Sequence, residues 1–282
     1  VLGIDDGAAA LRVSREAYQL ATRLGVRQMS TWLIGAIGLG AYHEALDWDT
    51  AISDIEAELA GSQSDVDRYR LVQTVEIFRV MRGEDRSELQ AQRAAMDFEM
   101  TDPDMIFWGV VLPGHDALVH GRYREAMAVY RKAIALDSQN TAEARFGMVV
   151  AAQLAGDPGA ARESLEGMQR EPFAGAWIEG AMAFAGAGVA ALEGRPDEAL
   201  TDYRRALDGF TRNGSRMSRA LMKLAALAAL PDVRAIDDWA DEARERFEVI
   251  KSPPLLERLD EVMAARQPAS SARPETADEA VS

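Results

Sequence analysis

The chain has 282 residues, no cysteine, and 46 acidic side chains against 31 Lys and Arg, a formal net charge of −15. The missing thiols exclude disulfide scaffolds, cysteine nucleophiles and cysteine-held zinc or iron–sulfur centres. The acidic balance argues against nucleic-acid binding, which needs a basic footprint, and an apolar share of 48% is too high for a disordered chain.

The first element is an amphipathic helix over residues 8–24 that carries Leu11, Tyr18, Leu20 and Leu24. The segment Gly3-Ile4-Asp5-Asp6-Gly7 before it has turn chemistry. Residues 1–27 therefore read as the second helix of a hairpin whose first helix is absent, which points to a longer array. The longest uncharged run, Gln28 to His43, falls short of the roughly 18–20 residues of a membrane span. The start Val1-Leu2-Gly3-Ile4 lacks the basic and apolar regions of a signal peptide. A cytoplasmic chain with no membrane partner is expected.

From residue 28 a turn recurs, followed five residues later by alanine. Gly121…Ala126, Gly156…Ala161 and Gly194…Ala199 are full copies. Leu46…Ala51 and Leu230…Ala235 keep only the alanine, and Gly83…Glu88 keeps only the glycine. The turns are 37, 38, 35, 38 and 36 residues apart, a period that marks stacked repeats. Residues between turns are helical in character: over 125–136, Ala126, Met127, Val129, Tyr130, Ala133, Ile134 and Leu136 form a 3.6-residue stripe. Each period thus predicts a helix A before the turn and a helix B after it, with glycine as a left-handed cap and Pro158 and Pro196 opening the next helix. The alanine lets the two helices approach closely. Six pairs are expected, at about 28–60, 64–98, 104–136, 141–169, 174–212 and 215–250. Ser252-Pro253-Pro254 breaks the chain before a short closing helix bearing Leu255, Leu256, Leu259, Val262 and Met263. Residues 267–282 turn to Pro, Ala, Ser and Glu without periodicity and read as a disordered tail.

Several chemical motifs fail on context. His115 and His120 are five apart and point to different helix faces, and His43-Glu44 lacks a second histidine, so neither suits a metal. Asp102-Pro103-Asp104 fits a helix cap better than a metal pair. Gly186-Ala-Gly188 lies inside a predicted helix, with no strand before it to make a dinucleotide fingerprint, and the same holds for Gly35-Ala-Ile-Gly38-Leu-Gly40. No nucleophile–base pair emerges. We therefore expect no enzyme, no metal and no cofactor.

Gly114, Gly121, Tyr123, Ala126, Tyr130, Ala133 and Leu136 match the tetratricopeptide repeat pattern in spacing and type, with Ser138 in place of the closing proline. The unit from Gly180 to Leu207 fits through Gly194, Ala199, Tyr203 and Ala206. The chain thus resembles the tetratricopeptide repeat family over roughly residues 28–250. The resemblance implies an all-α, right-handed superhelical solenoid of about six antiparallel helix pairs with a C-terminal capping helix, over 28–266. Such a stack contacts only neighbouring repeats. In this family the A helices line a concave groove. Its inward positions fall here on Arg70 and Gln73, on Trp108 and His115, on Glu143 and Phe146, and on Phe184. Aromatics at helical spacing are usually core, so Trp108, Phe146 and Phe184 also read as core packing, and the balance favours that reading. The closing segment, Ala243-Arg-Glu-Arg-Phe247 to Ser252-Pro-Pro-Leu-Leu-Glu-Arg-Leu259, resembles the end of large bacterial signalling ATPases and nucleotide-cyclase-linked regulators. That implies a non-catalytic sensor or protein-interaction arm acting on an upstream catalytic or ATPase domain of the same protein. The alternative is a free-standing adaptor that binds a partner's peptide in the groove.

Overall fold

A computed structural model describes residues 6–62, 64–96, 99–136, 138–171 and 174–266. The expected tail over 267–282 lies outside these residues. Among them the chain is all-helical, with no strand. A leading helix, α1 (Gly7–Leu24), is followed by six pairs: α2 (Arg27–Glu44) with α3 (Trp48–Gly61), α4 (Asp65–Arg82) with α5 (Ser87–Ala94), α6 (Pro103–Val119) with α7 (Tyr123–Ile134), α8 (Thr141–Ala155) with α9 (Pro158–Arg170), α10 (Ala176–Leu192) with α11 (Pro196–Asn213), and α12 (Arg216–Ala229) with α13 (Trp239–Val249). A closing helix, α14 (Pro253–Arg266), ends the described chain. No helix among the described residues is long and apolar enough to cross a membrane.

Local chemistry sets the turns. Gly83, Gly121, Gly156 and Gly194 all take left-handed backbone after an A helix. The residue after each donates to the carbonyl five residues earlier: Glu84 to Arg79, Arg122 to Ala117, Asp157 to Ala152 and Arg195 to Ala190, at 2.8–2.9 Å. Each satisfies a carbonyl that the helix end leaves open. Asp157 Oδ1 then accepts from the Ala160 amide at 3.0 Å, and Pro158 opens α9. The first turn has no glycine, so Ala45 and Asp47 take the left-handed conformation instead.

The inner and outer helices differ in composition because they differ in surroundings. α8 and α10 are buried on most faces, whereas α7 and α11 bury one stripe each. Ala126, Ala161 and Ala199 sit at the crossings with no exposed surface. At the α10–α11 crossing the backbones touch: a Cβ on Gly209 would lie 2.7 Å from the Ala176 carbonyl oxygen and 2.7 Å from the Gly180 Cα. Tyr130 of α7 fills the space left by Gly114 and Gly147, wedging between α6 and α8. The register differs from the sequence expectation in two pairs. In the second, Leu89 rather than Glu88 faces inward. In the sixth, a 3-10 turn at Arg234–Ile236 delays α13, so Ala235 is exposed and Ala243 takes the buried position.

The ends of the chain meet. α12 packs on α2 and α8, and α14 packs on α4, α6 and α12. Arg82 Nε donates to the Ile250 carbonyl at 2.8 Å, and its Nη2 pairs with Asp49 at 2.7 Å. Arg246 donates to the Ala45 carbonyl at 3.2 Å. Arg266 donates to the Leu227 and Leu230 carbonyls at 2.7 and 2.6 Å, securing α14 against the end of α12. The pairs therefore do not form an open row in which each touches only its neighbours.

Two variants test this packing. Ala199→Leu is expected to lower unfolding free energy by about 1–3 kcal/mol, because a larger side chain at a closed crossing displaces backbone. Arg82→Met leaves the buried Ile250 carbonyl without its donor, a loss of about 1–3 kcal/mol. Urea melts of both proteins check these values; neutrality of either removes the contact it probes.

Candidate functional site

A large cavity lies where α1, α2, α4, α6 and the start of α8 converge. Its volume is about 700 Å³. α1 contributes Ala9, Ala10 and Val13, α2 contributes Trp32, Gly35, Ala36 and Leu39, and α4 contributes Arg70, Gln73, Thr74 and Ile77. Asp102, Met105 and Trp108 come from the start of α6. The space exists partly because α2 carries glycine opposite Arg70: a Cβ on Gly35 would already touch the Arg70 Cδ at 3.8 Å.

The polar groups in the wall are braced by neighbours. Gln73 Nε2 donates to the Met105 carbonyl at 2.9 Å, tying α4 to α6. Asp102 caps α6, with Oδ1 accepting from the Asp104 amide at 2.9 Å. Its Oδ2 stands 3.5 Å from Arg70, which also lies 4.0 Å from Asp67. These are long ion pairs, and they leave the guanidinium loosely held. Asp104 accepts from Ser138 and Asn140, both at 2.9 Å, and from Gln139. Three carboxylates, Asp6, Asp102 and Asp104, thus line the wall against one guanidinium.

The seven residues expected in a groove divide here. Arg70, Gln73 and Trp108 line the cavity together. Phe146 and Phe184 do not: they pack in the interior 5.3 Å apart, and Phe146 also meets Trp177 and Phe210 at 5.7 Å. The physical reason is that the inner helices crowd together, so inward-facing aromatics meet each other instead of solvent. His115 and Glu143 are buried as well, at 3% and 4% exposure.

These last two belong to a polar knot inside the bundle. His115 Nδ1 is 2.9 Å from the Tyr130 hydroxyl, and burial lowers its pKa to about 4. His43, buried beside Tyr42, is also lowered to about 4, by burial first and by His115 among the lesser causes. Glu143 Oε2 has no hydrogen-bond partner, and burial pushes its pKa up to about 7. Its charge also raises the Tyr42 and Tyr130 hydroxyl pKa values, though burial raises both more. Glu76 is equally buried but has Arg93 at 2.7 Å; Glu143 has no such cation among the described residues.

The cavity's N-terminal wall was not anticipated. Trp32, Val13 and Leu39 lie on α1 and α2, ahead of the pairs from which inward positions were drawn. The usable signal was Trp32 three residues before the Gly35–Gly40 run, which gives α2 one face without side chains. Among the described residues no group of three His, Asp or Glu is placed to hold a metal ion. Comparison with family models, with characterised proteins and with solved structures gives no match.

Glu143 makes stability depend on pH. Its folded pKa of about 7 lies above its ordinary 4.5, so between these values the folded state holds a proton that the unfolded state has released. Stability contributed by the protonated group is present below about pH 4.5 and is lost as pH rises through about 7. His43 and His115 act oppositely, losing stability as pH falls from 6.5 towards about 4. Glu143→Gln isolates the carboxyl. The variant is expected to exceed the wild type by about 1–3 kcal/mol at pH 8, with the difference closing towards pH 4.5. Denaturant melts across that range check it; a difference independent of pH would contradict the buried carboxyl.

Proposed function

We propose that the chain is a non-catalytic binding and sensing module whose ligand fills the cavity between α1, α2, α4 and α6. The observation behind this reading is the cavity: at about 700 Å³ it falls within the about 300–1,000 Å³ of small-ligand sites, and its wall is mostly apolar with a few fixed polar groups. Trp32 and Trp108 offer ring faces, and the surplus of carboxylates makes the wall negative. Both favour a ligand with an apolar body and a cationic or N–H-donating end.

The repeat reading that accompanies it is a tight right-handed superhelix of six tetratricopeptide-like pairs capped by α14. Its support is the identical closure of four turns and the buried Ala126, Ala161 and Ala199. In that reading the module is the C-terminal regulatory arm of a larger bacterial signalling protein in the cytoplasm and reports ligand occupancy to an upstream catalytic domain. The resemblance of the 243–259 segment supports this placement. A peptide adaptor is the second reading. The observation that favours it is the cavity's apolar mouth, where Val13 is 58% and Trp32 52% exposed, within reach of a partner's side chain.

A titration with Nile red, a neutral apolar fluorophore, tests the site. Saturable binding to one site is expected, and Trp108→Ala should weaken it by about 2 kcal/mol, the scale of a hot-spot aromatic. Because Trp108 is half-buried, its loss should leave stability nearly unchanged. Trp177→Ala, which empties a fully buried position, should cost about 3–5 kcal/mol of stability. No saturable binding, or identical binding by Trp108→Ala, would refute the assignment.

A further inference from the structure

The chain is strongly acidic, yet α12 and α13 bring four cations to one small cavity. Arg216, Arg219 and Lys223 follow one another along a face of α12 at spacings of three and four, and Arg246 reaches in from α13. Two carboxylates, Glu242 and Glu245, complete the charged lining. Glu242 is shared by Arg219, at 3.4 Å, and Lys223. Glu245 lies 3.6 Å from Arg246, and Asp238 acts on Lys223 more weakly than Glu242 does. Two positive charges in the lining remain uncompensated.

The cluster shows this imbalance in several independent ways. Arg216 is exposed and makes no ion pair among the described residues. Arg219 Nε is buried without a hydrogen-bond partner. Arg246 has its pKa lowered, by burial first, and Arg216 and Arg219 add to the lowering. α12 also opens with two arginines and no acid in its first turn, the reverse of what the helix dipole favours.

We propose that this cavity is an anion site that takes a dianionic phosphoryl group, either free phosphate or the phosphate end of a small monoester. A dianion balances the two surplus charges. The Arg219 guanidinium, whose Nε has no hydrogen-bond partner, supplies one donor group, and the Arg216 guanidinium supplies a second fork at the rim. The volume, about 80 Å³, admits one small oxyanion and is well below the about 300–1,000 Å³ of sites that enclose a whole organic ligand. The site shares no lining residue with the large cavity, so it stands whether or not that cavity binds an effector.

Calorimetric titration with inorganic phosphate and with glycerol 3-phosphate, at constant ionic strength set by chloride, tests the proposal. Saturable binding at one site is expected. Arg216→Ala and Arg219→Ala should each weaken it about tenfold, the effect of one charge-assisted hydrogen bond. Arg216 is exposed, so its variant tests the site without threatening the fold. Glu242→Gln, which removes the competing carboxylate, should tighten binding. Arg205→Ala removes an equal charge from beside Asp202, outside this cavity, and should change nothing. Binding of phosphate alone identifies the free ion; binding of both anions identifies the phosphoryl group. Absence of saturable heat for both, or a loss in Arg205→Ala equal to that in Arg216→Ala, overturns the proposal.

Discussion

The structure depends on how closely two helix backbones can approach at each crossing. Helices with ordinary side chains at the contact keep their axes about 8–10 Å apart. Here Gly180 and Gly209 bring α10 and α11 into backbone contact, and alanines do nearly the same at Ala126, Ala161 and Ala199. Close crossings pull the inner helices together, so each inner helix is surrounded by others. An element buried on most faces must be apolar on most faces, which is why α10 contains almost nothing but alanine, glycine and large apolar side chains. The charged residues are displaced to outer faces, where Arg131 of α7 meets Glu163 of α9 and Arg212 of α11 meets Glu179 of α10. Such exposed pairs add little stability; their charge keeps an alanine-rich surface soluble.

Crowding the inner helices also closes the array. With the ends within reach, Arg82 can bond a carbonyl 168 residues away, and Arg246 can cap the open carbonyl at the end of α2. The same crowding makes polar groups in the interior expensive. Gln153 accepts from Tyr203, and His115 meets Tyr130, but Glu143 has no comparable partner for its second oxygen. A carboxyl in that position is most stable when protonated.

What the sequence disclosed follows from the range of the forces involved. Turns are local: a glycine in left-handed backbone and a proline or acid opening the next helix are written within a few residues, so the turns at 83, 121, 156 and 194 were legible. The alanine column was legible for the same reason in the regular pairs. It failed at Ala235 because the 3-10 turn that shifts α13 leaves no comparable local mark. Closure was not legible, since the contact between Arg82 and Ile250 is set by the sum of all the crossings between them. The site was half legible for that reason. The family resemblance implies that Arg70, Gln73, Trp108, Phe146 and Phe184 face inward, but only the tightness of the interior decides which of these meet a cavity and which meet one another.

The interior is open beside α1, and the sequence of α2 explains why. Gly35 and Ala36 leave the α2 wall thin opposite Arg70, while Trp32 and Leu39, one turn to either side, complete the α2 wall of the cavity. α2 is also where the first and last helix pairs meet: the Ala45 carbonyl that follows it receives Arg246, and α12 packs along it. One rigid helix therefore forms a wall of the large cavity and a support for Arg246, a residue of the cationic cluster. Coupling between two sites requires an element whose arrangement both can bias. In this fold α2 lines the large cavity at Trp32 and reaches the cationic cluster through the Ala45 carbonyl that Arg246 binds. By linkage, any such coupling acts equally in the two directions. The small-residue face that opens the cavity thus sits on the same helix as the carbonyl that Arg246 binds.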